Sequence, residues 1–119
     1  KAAEDAMADI APYLVRIEPR SRLLPRLVEA GWGASWGVYL DSPAPIREVR
    51  SHLRKLLVVT REKDRVPMFF RFYDPRVLRA FVPIATARQT GLLFGPVRRF
   101  VVEGAGREVL CFEAPAEAT

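Results

Sequence analysis

Met68-Phe69-Phe70-Arg71-Phe72-Tyr73-Asp74-Pro75-Arg76-Val77-Leu78-Arg79-Ala80-Phe81 reads as a strand that runs directly into a helix. Met68 to Tyr73 is aromatic or apolar on both alternating faces, the pattern of a strand covered on both sides. Asp74 then stands where a helix N-cap belongs, with Pro75 at the first helical position, where a missing N–H costs nothing. Val77, Leu78, Phe81 and Val82 make the apolar stripe of a short helix that Pro83 closes. Arg71 is the odd residue of the run. A guanidinium between Phe70 and Phe72 in an interior strand must be paired or reach the sheet edge. Asp74 is the nearest carboxylate in sequence, although its capping role competes for the same oxygens.

Upstream of this junction, Ile46, Val49, Leu53 and Leu56 form the buried stripe of an amphipathic helix whose other side carries Arg47, Glu48, Arg50, Ser51 and Arg54. Leu57 to Thr60 is a strand, and the polar Glu62-Lys63-Asp64-Arg65 loop returns through Val66 to make a hairpin. Earlier still, Pro12 to Ile17 is a plausible strand. Ser21 caps a helix carrying Leu23, Leu24, Leu27 and Val28, with Pro25 in its first turn and Gly31 ending it in a left-handed conformation. Ala2 to Ile10 has the spacing of a helix tail. Gly31-Trp32-Gly33-Ala34-Ser35-Trp36-Gly37 lacks the Lys and Ser/Thr of a phosphate-binding loop, so its indoles read as core plugs at a turn before a strand from Trp36 to Leu40.

Downstream, Thr86 begins a helix with Gln89 placed for a capping box, and Gly95-Pro96 stops it. Val97 to Glu103 and Glu108 to Phe112 alternate around Gly104-Ala105-Gly106-Arg107 as a hairpin. Cys111, the single cysteine, lies in that alternation and reads as a buried core thiol; alone, it excludes an internal disulfide. The sum is an α+β fold: a mixed, mostly antiparallel sheet of about six strands with three or four short helices packed on it. Residues 1–113 form one domain, and 114–119, rich in Ala, Pro and Glu, read as a linker or tail.

Composition narrows the function. Half of the 119 residues are hydrophobic, enough for a core, and no apolar run is long enough to span a membrane. The net charge of +5 suggests a nucleic-acid or acidic partner, but the arginines are scattered, with Arg98-Arg99 the one adjacent pair. They read as solvated faces first and as contacts to an acidic protein second. No nucleophile with a base, no carboxylate pair and no metal-ligand spacing is present, and His52 has no catalytic companion. No cofactor is implied, and the chain does not read as an enzyme. Phe70-Arg71-Phe72-Tyr73 superficially matches a base-stacking strand, yet it is apolar on both faces and reads as core.

Phe70 to Leu78, together with Leu93-Phe94-Gly95-Pro96-Val97 and the Gly31 to Gly37 stretch with Ser42-Pro43, resembles the adaptor and effector-chaperone domain of bacterial type VI secretion, usually encoded beside the valine-glycine-repeat spike protein VgrG. The resemblance runs from about Asp9 to Phe112, with the three blocks in the family's order. It implies a non-enzymatic cytoplasmic protein that binds a toxic effector and helps load it onto the VgrG spike. The matching positions are Arg71, Tyr73, Asp74, Pro75, Arg76, Gly95 and Pro96. Asp74 and Pro75 have complete local explanations as cap and first helical residue, and Gly95 and Pro96 as a helix stop. Arg71, Tyr73 and Arg76 are the first candidates for protein contact. Two departures stand out. The family's domain begins with a further strand and helix, which Lys1 postdates, and many members carry a helical lobe beyond the position of Thr119. A missing first strand would leave an open sheet edge. The alternative is a basic nucleic-acid-binding module.

Overall fold

The computed structural model describes residues 12–60 and 63–116. Among them are helix α1 (Leu23–Gly31), strand β1 (Tyr39–Asp41), helix α2 (Ile46–Leu56), strands β2 (Val58–Thr60) and β3 (Pro67–Phe69), helix α3 (Pro75–Phe81), a 3-10 turn (Val82–Ile84), helix α4 (Ala87–Phe94), and strands β4 (Arg99–Glu103) and β5 (Val109–Glu113). The five strands form two antiparallel sheets rather than one of about six: a three-stranded sheet in the order β1-β4-β5, and the separate β2–β3 ribbon. The mixed α/β character holds. The Ala2 to Ile10 helix lies outside the described residues.

The three-stranded sheet is the floor of the core. Leu40, Phe100 and Phe112 stand opposite one another across its three strands. Phe100 and Val102 are buried on that face, under Val49, Leu53 and Leu56 of α2, Leu78 of α3, and Leu93 and Phe94 of α4. Phe94 meets Phe100 edge-on at 5.2 Å, a preferred aromatic geometry. The stripe at Val49, Leu53 and Leu56 is buried as its spacing requires, while Ile46, in the first turn, is exposed. The opposite row, Tyr39, Val101 and Cys111, faces away from the core.

Several expectations are corrected. Met68 to Tyr73 is not a doubly covered strand: β3 ends at Phe69, with one further bond from the Phe70 N–H to the Leu57 carbonyl, and Pro67, Met68 and Phe69 are exposed. The chain turns instead, with the Asp74 N–H donating to the Arg71 carbonyl at 3.0 Å. The aromatic density belongs to a cluster folded around this turn: Phe70 lies 4.9 Å from Phe81 and 6.1 Å from Phe72, and Phe72 lies 5.6 Å from Tyr73. Packing around a bend imitates the composition of an interior strand. Cys111 is exposed, because β5 turns its odd-numbered residues outward. Pro12 to Ile17 forms no strand.

The glycine-rich stretch behaves differently from a set of core plugs. Trp36 is 64 % exposed, and its ring lies over Gly31, where an added Cβ would stand 2.6 Å from the indole. Close approach, not a left-handed backbone, is what Gly31 supplies; the residues with positive φ in this stretch are Gly33, at φ +89, and Ser35, at φ +58. Ser21 does serve the start of α1, accepting from the Leu23 N–H at 3.0 Å. Thr86 and Gln89 form the reciprocal capping box that their spacing predicts.

Candidate functional site

The start of α3 gathers the central motif into one polar knot. Asp74 Oδ1 accepts from the Arg76 backbone N–H at 2.9 Å and from Arg76 Nε at 3.0 Å, while Oδ2 accepts from Arg76 Nη2 at 2.8 Å. One carboxylate therefore caps the helix and binds a guanidinium in a two-point fork, and Pro75 behind it is buried. The hydrogen bond from Arg76 is the main reason the Asp74 carboxyl titrates below its ordinary range. Arg76, a candidate for partner contact, is thus engaged within its own helix turn, although its guanidinium stays open to solvent. Tyr73 is half-buried, packed edge-on against Phe72 and the core. Arg71 is fully outside the core, and among the described residues no carboxylate meets it. Asp74 serves Arg76 instead.

Replacing Asp74 by alanine is expected to cost about 0.5–2 kcal/mol, the usual range for a lost N-cap. Because the folded carboxyl titrates low, its contribution is complete above the unfolded pKa and is lost as pH falls through the folded one. Urea titrations should therefore show a constant gap between wild type and Asp74→Ala from neutral pH down to about pH 4, narrowing below it. A gap that widened in acid would contradict the assignment.

Gly95 and Pro96 make a second knot, between α4, α2 and the end of β1. Gly95 has φ +48, and a Cβ there would run into the His52 imidazole. His52 Nε2 lies 2.8 Å from the Leu93 carbonyl, a contact that the tautomer protonated at that nitrogen makes as a donor. Ser42 Oγ donates to the Pro96 carbonyl at 2.6 Å and accepts from the Ala44 N–H at 3.1 Å. Glu48, Ser51, His52, Lys55 and Pro96 line the shallow depression beside this knot. The sole histidine is thus a latch between two helices.

The third cluster had no local signal in the sequence. Trp32 Nε1 donates to the Arg107 carbonyl at 2.8 Å, and Arg107 Nη2 donates back to the Trp32 carbonyl at 3.0 Å, across 75 residues. Glu103, only 5 % exposed, accepts from the Ser35 N–H at 3.1 Å through Oε1, and its backbone carbonyl accepts from Arg79 at 2.9 Å. Burial first, and Glu103 second, push the Tyr39 phenol above its ordinary pKa. These contacts pin the Trp32–Ser35 turn to the sheet.

The polar side chains in these clusters are spent on folding, and among the described residues no three His, Cys, Asp or Glu side chains converge as a metal site. Solvent meets an apolar surface instead at the β2–β3 ribbon, where Val58, Val59, Val66, Met68 and Phe69 are all exposed. Among the described residues no helix is long and apolar enough to cross a membrane.

A family model described as a domain of unknown function (DUF4123) matches residues 1–91. That span holds the Gly31 to Gly37 and Phe70 to Leu78 blocks and ends just before the Leu93 to Val97 block. No curated protein and no solved structure matches the chain.

Proposed function

We propose, from the premise that this chain belongs to the family described as a domain of unknown function (DUF4123), that it is a non-enzymatic adaptor of bacterial type VI secretion. It binds a toxic effector in the cytoplasm and helps load it onto the VgrG spike. The observation that carries a binding role is the exposed apolar ribbon: Phe69 is 58 % exposed, in a sheet that among the described residues has two strands. Such surface on a small domain marks a place where another protein sits. The motif blocks, with their resemblance to the secretion adaptors, supply the identity of the partner.

The test is capture from the lysate of a secretion-competent bacterium with this chain as bait, at moderate and at high salt, followed by mass spectrometry. Recovery of a spike or toxin-like protein that survives high salt supports the adaptor. Recovery of nucleic acid and ribosomal proteins alone, washed off by salt, supports the nucleic-acid reading instead, since phosphate contacts weaken steeply with ionic strength. Arg71→Ala is expected to reduce capture with an unchanged melting temperature, because Arg71 is exposed and outside the ion pairs. Arg76→Ala keeps the backbone N–H that Asp74 caps but removes the guanidinium fork on that carboxylate, so a loss of capture there must be set against any lowered stability.

A further inference from the structure

We infer that the β2–β3 ribbon seats an extended, acidic segment of a partner protein, in which apolar side chains alternate with carboxylates, added as a third strand along the open edge of β2. This rests on the adaptor reading and names the chemistry of what is bound.

The ribbon has two apolar faces, and among the described residues no element covers Val58, Val59, Met68 and Phe69, which stay exposed. Leu57 is buried and Phe70 half-buried, and on the same face Val59 and Met68 run out of the core to 41 % and 44 % exposure. Val58 and Phe69 stand exposed on the other. An isolated two-stranded ribbon is marginal in water, and a third strand gripping both faces would complete it.

Register decides which edge is open. The Phe70 N–H donates to the Leu57 carbonyl at 2.9 Å, so Leu57 and Phe70 are a hydrogen-bonded pair, and by alternation Val59 and Met68 are the next. Val58 and Thr60 on β2, and Phe69 and Pro67 on β3, therefore turn their backbone groups away from the ribbon. Pro67 has no N–H to give, so the edge of β3 is short of a donor. The edge of β2 has a donor and an acceptor at both Val58 and Thr60, and among the described residues no backbone hydrogen bond outside the ladder engages Val58.

Charge decides what is added. From Arg54 to Arg71 the sequence carries six bases and two acids, a net of +4 out of +5 for the whole chain. Lys55 and Arg71 are exposed at the root of the ribbon, Lys63 and Arg65 at its tip. Asp64 Oδ1 already accepts from the Val66 N–H at 3.2 Å. A basic frame around an apolar strand selects an acidic strand. The open outer edge of β5 offers no such frame, since Glu108 and Glu113 flank it. A nucleic acid fits less well, because the exposed ribbon side chains are aliphatic apart from Phe69, and base stacking requires rings.

The test is fluorescence anisotropy of the full chain with a labelled peptide alternating valine and glutamate. It is run beside the same peptide N-methylated at alternate residues, a valine–lysine peptide, and oligo-deoxythymidine of matched charge. The valine–glutamate peptide is expected to bind saturably, with affinity falling roughly tenfold or more on N-methylation, on exchange of glutamate for lysine, or in Phe69→Glu protein. Equal binding of the N-methylated peptide, tighter binding of the oligonucleotide, or no peptide binding overturns the proposal. N-methylation leaves the protein untouched, so that arm decides even where Phe69→Glu fails to fold. If the peptide fails while the wild-type chain still captures a spike or toxin-like protein at high salt, the ribbon proposal falls and the adaptor reading stands. If the peptide behaves as stated while no such protein is captured, the ribbon stands and the adaptor reading falls.

Discussion

Phe100→Ala is expected to remove about 3–5 kcal/mol of unfolding free energy, a large part of the stability of a domain this size. Phe100 is fully buried in the middle strand of the sheet, between Leu40 and Phe112, with the Phe94 ring edge-on at 5.2 Å. The loss has two sources: the apolar surface no longer buried, and a void that strands held on both sides cannot close. Urea unfolding should show the midpoint collapsing, whereas Phe69→Ala, on the exposed ribbon, should stay within about 0.5 kcal/mol of wild type. A loss below about 1 kcal/mol for Phe100→Ala would mean that the three-stranded sheet is not the floor of the core.

The second large effect is Gly95→Ala. Gly95 has φ +48 and ψ −121, a backbone state that residues with a Cβ scarcely populate, so the substitution costs about 1–3 kcal/mol before any contact is counted. The new methyl also collides with the His52 ring, which its bond to Leu93 holds in place. His52→Ala removes the obstacle and leaves the backbone strain. Gly95→Ala is therefore expected to cost less in a His52→Ala background, with a coupling of at least about 0.5 kcal/mol in a double-mutant cycle. Strict additivity would place the imidazole away from Gly95.

The contrast between Asp74 and Arg71 shows where sequence reading succeeds. Asp74-Pro75 is an N-cap set by bonds to a residue two positions on, and such information is complete in a few letters. The amphipathic stripe of α2, the Thr86–Gln89 box and the C-terminal hairpin were legible for the same reason. Phe70 to Tyr73 was misread because alternation in apolar letters cannot distinguish a covered strand from rings wrapped around a turn. Arg71 followed that error: once the strand ends at Phe69, its guanidinium needs no buried partner. Cys111 shows the same limit, since which side of an edge strand is covered depends on what the chain brings from elsewhere. Of the candidate contact residues, Arg71 is exposed and meets no carboxylate among the described residues, Tyr73 packs into the core and Arg76 is held by Asp74. The ribbon surface is not legible in the sequence because its valines and Met68 look like ordinary strand letters, and their exposure depends on where the described residues leave them uncovered.

The Trp32–Arg107 clasp also sets an order on biogenesis. Among the described residues, the long-range hydrogen bonds that fasten the turn after α1 join it to residues 75 and 68 positions later, Arg107 and Glu103. At about 5–20 residues per second, a ribosome needs roughly 4–15 s to deliver that clasp after Trp32 is made. Throughout that interval α1 waits for its anchor with Leu24 and Leu27, half-buried in the finished domain, still open to water, so the nascent chain shows apolar surface that the folded domain covers in part.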